Sequence, residues 1–178
     1  MSDFKTKFYS AIKEAEVSPE EAKQEFKTDD FRWGETKMGE DSPTGKSQIY
    51  INHDRFKRFN AGPNYRKEML IGEGIHLLKE LDPERAEQLY QSAINDPAVL
   101  KWLQKSYKTA AERGEKRPFD KWVKHSRLDQ IIGGYLLGNK KSSIPTMRDW
   151  PTERLVYDGY YGTQFKAELE KLKKDLDL

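Results

Sequence analysis

The chain has 178 residues, 32 basic and 30 acidic side chains, a net charge of +2 and no cysteine. That length fits one domain able to bury a core of its own. The balanced charge argues against a nucleic-acid binder, which gathers positive charge on one face, and the missing thiols exclude disulfides and thiolate metal sites.

Hydrophobic and charged residues each make up 35% of the chain and aromatic residues 12%. This predicts a thin core filled by rings, under a surface laced with i,i+4 ion pairs. No stretch approaches ~18 continuous apolar residues and the first residues lack the apolar centre of a signal peptide. No membrane contact is therefore expected, and a cytoplasmic location is; the interior of a particle packaged from a cytoplasm meets the same constraints.

In chain order, Phe4, Phe8, Ala11, Ile12 and Ala15 recur at helical spacing. Ser18, Pro19, Glu20 and Glu21 then form a capping box with Pro at the first helical position, opening a helix through Phe26. Together these are N-terminal helices over residues 3–28. Residues 33–52 change character: Gly34, Gly39, Pro43 and Gly45 punctuate them, and the run from Gln48 to Asn52 is of β type. A hairpin or sheet edge is expected, with a loop around 39–46. Arg55, Lys57 and Arg58 are the nearest approach to a basic patch and read as a solvated loop.

A helical core is expected over 63–138. One helix spans Asn64 to Leu81. Asp82 with Pro83 and Asp96 with Pro97 each open another, Asp as N-cap and Pro where its missing N–H costs nothing. Pro118 to Trp122 and Ser126 to Leu137 follow as separate helical stretches. Residues 139–162 are irregular, and 163–177 close the chain as an amphipathic helix with Phe165, Leu169, Leu172 and Leu176 on one stripe. Trp150, Tyr157, Tyr160 and Tyr161 read either as a lid on the core or as a binding surface. The fold class is thus predominantly α (α+β): a single compact helical domain with a small β-hairpin or sheet edge near 33–52.

Candidate chemistry is sparse. Gly45, Lys46 and Ser47 end like a phosphate-binding loop, but Glu40 stands where the first glycine belongs and a strand follows instead of a helix, so nucleotide binding is rejected. The informative run is Glu68 to Glu80. Leu70, Ile71, Gly74, Ile75, Leu78 and Leu81 form its buried side, and Glu73, His76 and Glu80 share another face. Two mid-helix glycines each cost about 1 kcal/mol relative to Ala, which suggests a close approach to the backbone. Glu73 and His76, three apart, can share one ligand or proton, or can be polar residues on the wet side of the helix.

This run resembles the H-E-x-x-H helix of zincin-type metallopeptidases, with Gly72 in place of the first His; the β-type run before it parallels their substrate-binding edge strand. The resemblance covers about the middle third of the chain. It implies Glu73 as catalytic base and His76 as a ligand of zinc. Three protein ligands are needed, so another side chain must replace the missing one or the site is dead. His53, His125, Asp129 and Glu80 are available, and Asp129 fits best if Ser126 opens a helix whose N-terminus presents it. Asp129 is equally an early-helix acid favoured by the macrodipole. Glu73 and His76 also form one E-x-x-H unit of a di-iron bundle, but the second unit is missing. More loosely, the chain is similar to small tailed-phage proteins with a G-E-x-x-H helix and a downstream S-R-x-D-Q-x-x-G-G segment, matched by Ser126 to Gly134. Two functions are therefore expected to compete. One is a metallopeptidase-like, phage-associated protein with a modified zincin helix, active or dead, holding zinc through His76 and Asp129. The other is a non-enzymatic virion or interaction protein that binds other protein subunits.

Overall fold

The structure, a computed structural model, describes residues 3–30, 32–137 and 161–178. They group into two compact units, Met1–Leu81 and Asp82–Leu178. The chain is predominantly helical with a two-stranded antiparallel sheet, the fold class that its periodicities predict.

In the first unit, helix α1 (Asp3–Ala15) buries Phe8, Ile12 and Ala15. Helix α2 (Pro19–Glu25) starts at the predicted box, where the Ser18 hydroxyl accepts from the Glu21 N–H at 3.3 Å. Strands β1 (Gly34–Lys37) and β2 (Gln48–Ile51) pair antiparallel, Gly34 opposite Ile51 and Thr36 opposite Ile49. Because strand side chains alternate, one sheet face carries Gly34, Thr36, Ile49 and Ile51. The other carries Glu35, Lys37 and Tyr50, with Tyr50 packed on Val17 and Ala22. Helix α3 (His53–Arg58) is capped by the Asn52 side chain, which accepts from the Arg55 N–H. The basic run is therefore a helix and not a solvated loop, because Asn52 supplies an N-cap directly after the strand.

Helix α4 (Pro63–Gly74) passes through a 3-10 turn at Ile75–Leu77 into α5 (Leu78–Leu81). The continuous helix expected from Asn64 to Leu81 thus tightens at His76. The cause of the glycine cost is visible at Gly74. A Cβ there would enter the Ile12 side chain of α1 and stand 3.4 Å from Phe8 Cζ, whereas a Cβ at Gly72 meets nothing within 4 Å.

In the second unit, Asp82 caps α6 (Pro83–Ile94) and Asp96 caps α7 (Pro97–Glu112), each through its carboxylate to first-turn amides. Helix α8 (Phe119–Trp122) continues through a π-helical turn at Val123–Arg127 into α9 (Leu128–Leu136). The predicted break before Ser126 is absent: the chain absorbs an extra residue in wider i→i+5 turns instead of restarting. Helix α10 (Thr163–Asp175) buries the stripe Phe165, Leu169, Leu172 and the following Leu176. Arg85 reaches Asp175 at 2.6 Å and the Tyr135 hydroxyl donates to Glu170, tying α6 and α9 to α10. Gly162 enters α10 at φ +72°, and a Cβ there would collide with the Asp96 carboxylate. Tyr161 is buried against Tyr135 and Phe165; Trp150, Tyr157 and Tyr160 lie outside the described residues.

The two helix glycines are expected to respond in opposite ways. Gly74→Ala overpacks the α1 contact and should destabilise by about 1–3 kcal/mol, while Gly72→Ala gains helix propensity and should stabilise by up to about 1 kcal/mol. Urea unfolding of both variants checks the pair, and equal effects would refute the close approach at Gly74.

Candidate functional site

Glu73 is the last glutamate of α4, half-buried over the Gly34 and Thr36 face of β1. The Thr36 hydroxyl donates to Glu73 Oε2 at 2.7 Å and also lies 3.1 Å from the Glu73 carbonyl oxygen. Gly34 completes the seat: a Cβ there would stand 3.3 Å from Glu73 Cγ. One helical stretch further, Glu80 Oε1 accepts from the Ser47 hydroxyl at 2.6 Å. The face shared by Glu73 and Glu80 is thus turned onto the hairpin, which it grips at β1 and at the loop before β2. Glu80 is exposed, but Glu73 is not on a freely wet side.

His76 is half-buried inside the 3-10 turn. Asp129 belongs to the second unit, where it is 5% exposed. Its helical run begins at Phe119 and passes through the π turn, so Asp129 does not sit at a helix N-terminus and the macrodipole does not favour it there. The neighbouring Arg127 is buried too, stacked 5.0 Å from the Trp122 ring centroid and donating to Gln130 Oε1 at 2.9 Å; burial pushes its pKa down to about 10. His125 is exposed on the π turn. Among the described residues, no three His, Asp or Glu side chains come together in a way that could hold a metal.

The strand preceding the helix also differs from the expected substrate-binding edge. β2 pairs with β1 on one side, and on the other the Ile49 carbonyl accepts from the Val17 N–H at 3.0 Å. The chain between α1 and α2 therefore covers part of the edge that a peptide would need.

The opposite sheet face carries a cluster of charges. Asp30 chelates Arg32 through two short contacts, which holds its carboxyl well below the usual range. Lys37 is 2.7 Å from Glu25 and lies over the Tyr50 ring. Glu35 is the carboxylate left with the weakest compensation, since Arg32, 3.0 Å away, is already committed to Asp30. Burial, followed by the hydrogen bond with Glu25, pushes the Glu35 pKa up to about 7, while the same hydrogen bond and Lys37 hold Glu25 down. Across the α2–β1 contact the two glutamates are thus pushed in opposite directions, Glu35 up and Glu25 down.

Near α3 stands a group that the sequence shows only as a basic run. Arg55 lies between two rings, 4.6 Å from the Trp33 centroid and 4.9 Å from Phe59. Phe56 and Tyr65 pack on Trp33 from other sides, and burial raises the Tyr65 hydroxyl to about 12. Phe59 is 57% exposed. The i,i+4 spacing of Arg55 and Phe59 could have signalled the pair; that Trp33 would join them needed the fold.

Compared with known families, with curated proteins and with solved structures, the chain matches none. No helix among the described residues is long and apolar enough to cross a membrane.

Two measurements follow from this geometry. Thr36→Val removes the hydroxyl that seats Glu73 and should cost about 1–2 kcal/mol in urea unfolding, with Thr36→Ser close to wild type; a neutral Thr36→Val would mean that Glu73 is not held through this bond. The raised Glu35 makes the second prediction. Its contribution to stability is complete below the unfolded value near 4.5 and is lost as pH rises through about 7. Solvent screening keeps that loss to about 1 kcal/mol. Thermal unfolding between pH 4.5 and 7.5 should therefore fall more steeply for wild type than for Glu35→Gln, and parallel curves would refute the raised Glu35.

Proposed function

We propose that this chain works by binding other protein subunits and that its G-E-x-x-H helix is a beam for the hairpin instead of a hydrolytic centre. The observation that carries this reading is the seat of Glu73. The carboxylate accepts from a strand hydroxyl at 2.7 Å through Oε2, and the same hydroxyl lies 3.1 Å from the Glu73 carbonyl oxygen, so helix and hairpin are joined at this residue. Gly72 supplies no ligand. The chemistry of binding is better provided for. An exposed Phe59 beside Arg55 and Trp33 is the aromatic and arginine composition found at interface hot spots. The loose likeness to tailed-phage proteins supports subunits of a virion as partners.

The competing reading is a zinc-dependent peptidase-like enzyme with Glu73 as base and His76 and Asp129 as ligands. Metal analysis of the purified chain and of His76→Ala separates the two. The expected result is no stoichiometric zinc in either protein, with light scattering reporting a defined assembly or a bound protein partner. One zinc per chain that disappears in His76→Ala would overturn the proposal, and so would a strict monomer that binds no protein.

A further inference from the structure

A second feature of the first unit points to what such a partner looks like. Between α2 and the start of α3 lies a cavity of about 180 Å³. Pro19, Ala22 and Phe26 line it from α2, and His53 forms a wall from α3. Ala22 is fully buried and Phe26 half-buried, so part of the floor is apolar, with the buried Asn52 beside them; Glu20, Lys23 and Asp54 are exposed at the mouth. His53 adds no charge, because burial and the nearby Arg66 lower its pKa, with Glu16 and Asp54 opposing; its Nε2 finds no hydrogen-bond partner among the described residues. A cavity of about 150 Å³ lined by apolar groups accepts a benzene ring, so this one has room for a single aromatic or branched aliphatic side chain.

At the entrance Glu20 and Asp54 stand with Lys23. Lys57 and Arg58 follow Asp54 by three and four residues and so lie one helical turn further along the same face of α3. Arg58 Nη2 donates to the Thr28 carbonyl at 3.1 Å, which places the guanidinium over the segment that follows α2. Among the described residues neither Lys23, Lys57 nor Arg58 is paired with a carboxylate. The groove therefore runs from an apolar hole to a site of unspent positive charge about one helical turn away.

We infer that the α2–α3 groove docks a segment of another protein that inserts one aromatic or branched aliphatic side chain into the cavity and lays a carboxylate against Lys57 and Arg58. This rests on the protein-binding reading above and names the partner's chemistry. Grooves between helices are read in this way, by an anchor side chain at one point and charge at a fixed distance. A phosphate backbone fits less well, because it has no group for an apolar hole.

The probe is 3-phenylpropionate, which joins a phenyl ring to a carboxylate, titrated into the isotope-labelled full chain and followed by NMR. Amide shifts should concentrate on α2 and α3 around Ala22 and His53. 3-Phenylpropylamine should bind at least about fivefold more weakly, and so should phenylpropionate to Lys57→Glu/Arg58→Glu, the size of effect expected of an exposed charge contact. Both substitutions are at exposed positions, and an unchanged amide spectrum away from α3 confirms that the variant folds. Shifts elsewhere, equal binding of the amine, or stronger perturbation of the same amides by oligothymidylate would overturn the inference. Its failure is separable from that of the protein-binding reading, whose zinc and light-scattering tests do not involve the groove.

Discussion

The first unit depends on one close approach, that of the Ile12 side chain to the backbone of Gly74. A Cβ at that position would overlap the outer atoms of Ile12, which would have to shift. With Gly there, Phe8, Ile12, Ile71 and Ile75 bury together, and α4 runs low enough over the sheet for Glu73 to meet Thr36. The 3-10 turn that follows changes the phase of the helix, from about 100° to about 120° per residue, and Glu80 still reaches the hairpin at Ser47. A glycine that weakens the helix locally is thus what lets the helix hold the sheet.

That arrangement gives the Glu73 carboxylate a structural task. It accepts from a strand hydroxyl in a half-buried setting, where a charge-assisted hydrogen bond is stronger than a neutral one. The other face of the same strand carries the Glu25 and Glu35 pair and its cations. Strand β1 therefore turns polar groups toward helices on both faces: a hydroxyl toward α4, and a carboxylate and an ammonium toward α2. Few apolar residues are spent on it, in keeping with a chain only 35% hydrophobic.

The groups on which the proposed docking rests gather on α3, a helix of six residues, and at Phe59 just after it. Its short length puts Arg55, Lys57, Arg58 and Phe59 within two turns, and its two flanks differ. One presents Arg55 sandwiched between rings, where the cation is partly desolvated and stiff. The other borders the apolar cavity beside α2. Pre-ordered arginine and aromatic groups bind at a lower entropic cost than mobile ones, and that physical property supports a docking role for the unit.

Local signals in the sequence determined most of the helices. Ser18 with Pro19, Asp82 with Pro83 and Asp96 with Pro97 each place a helix start where the structure has it, because a cap and a proline act on their own few residues. The stripe of Phe165, Leu169, Leu172 and Leu176 was legible because burial imposes the element's period on the apolar residues, and the hairpin from its glycine and proline punctuation and the β-type run from Gln48. Tertiary contact alone decided the rest. Helical phase put Gly74 on the buried side and left Gly72 off it, but that Ile12 of α1 is what lies against Gly74 needed the fold. Nothing near Val123 announces a π turn that carries α8 into α9 and buries Asp129 away from a helix start. The partner of Glu73 is Thr36, 37 residues away. The motif could show that a carboxylate and an imidazole stand three residues apart on a helix, but what lies opposite that face is set by how the hairpin folds back over it.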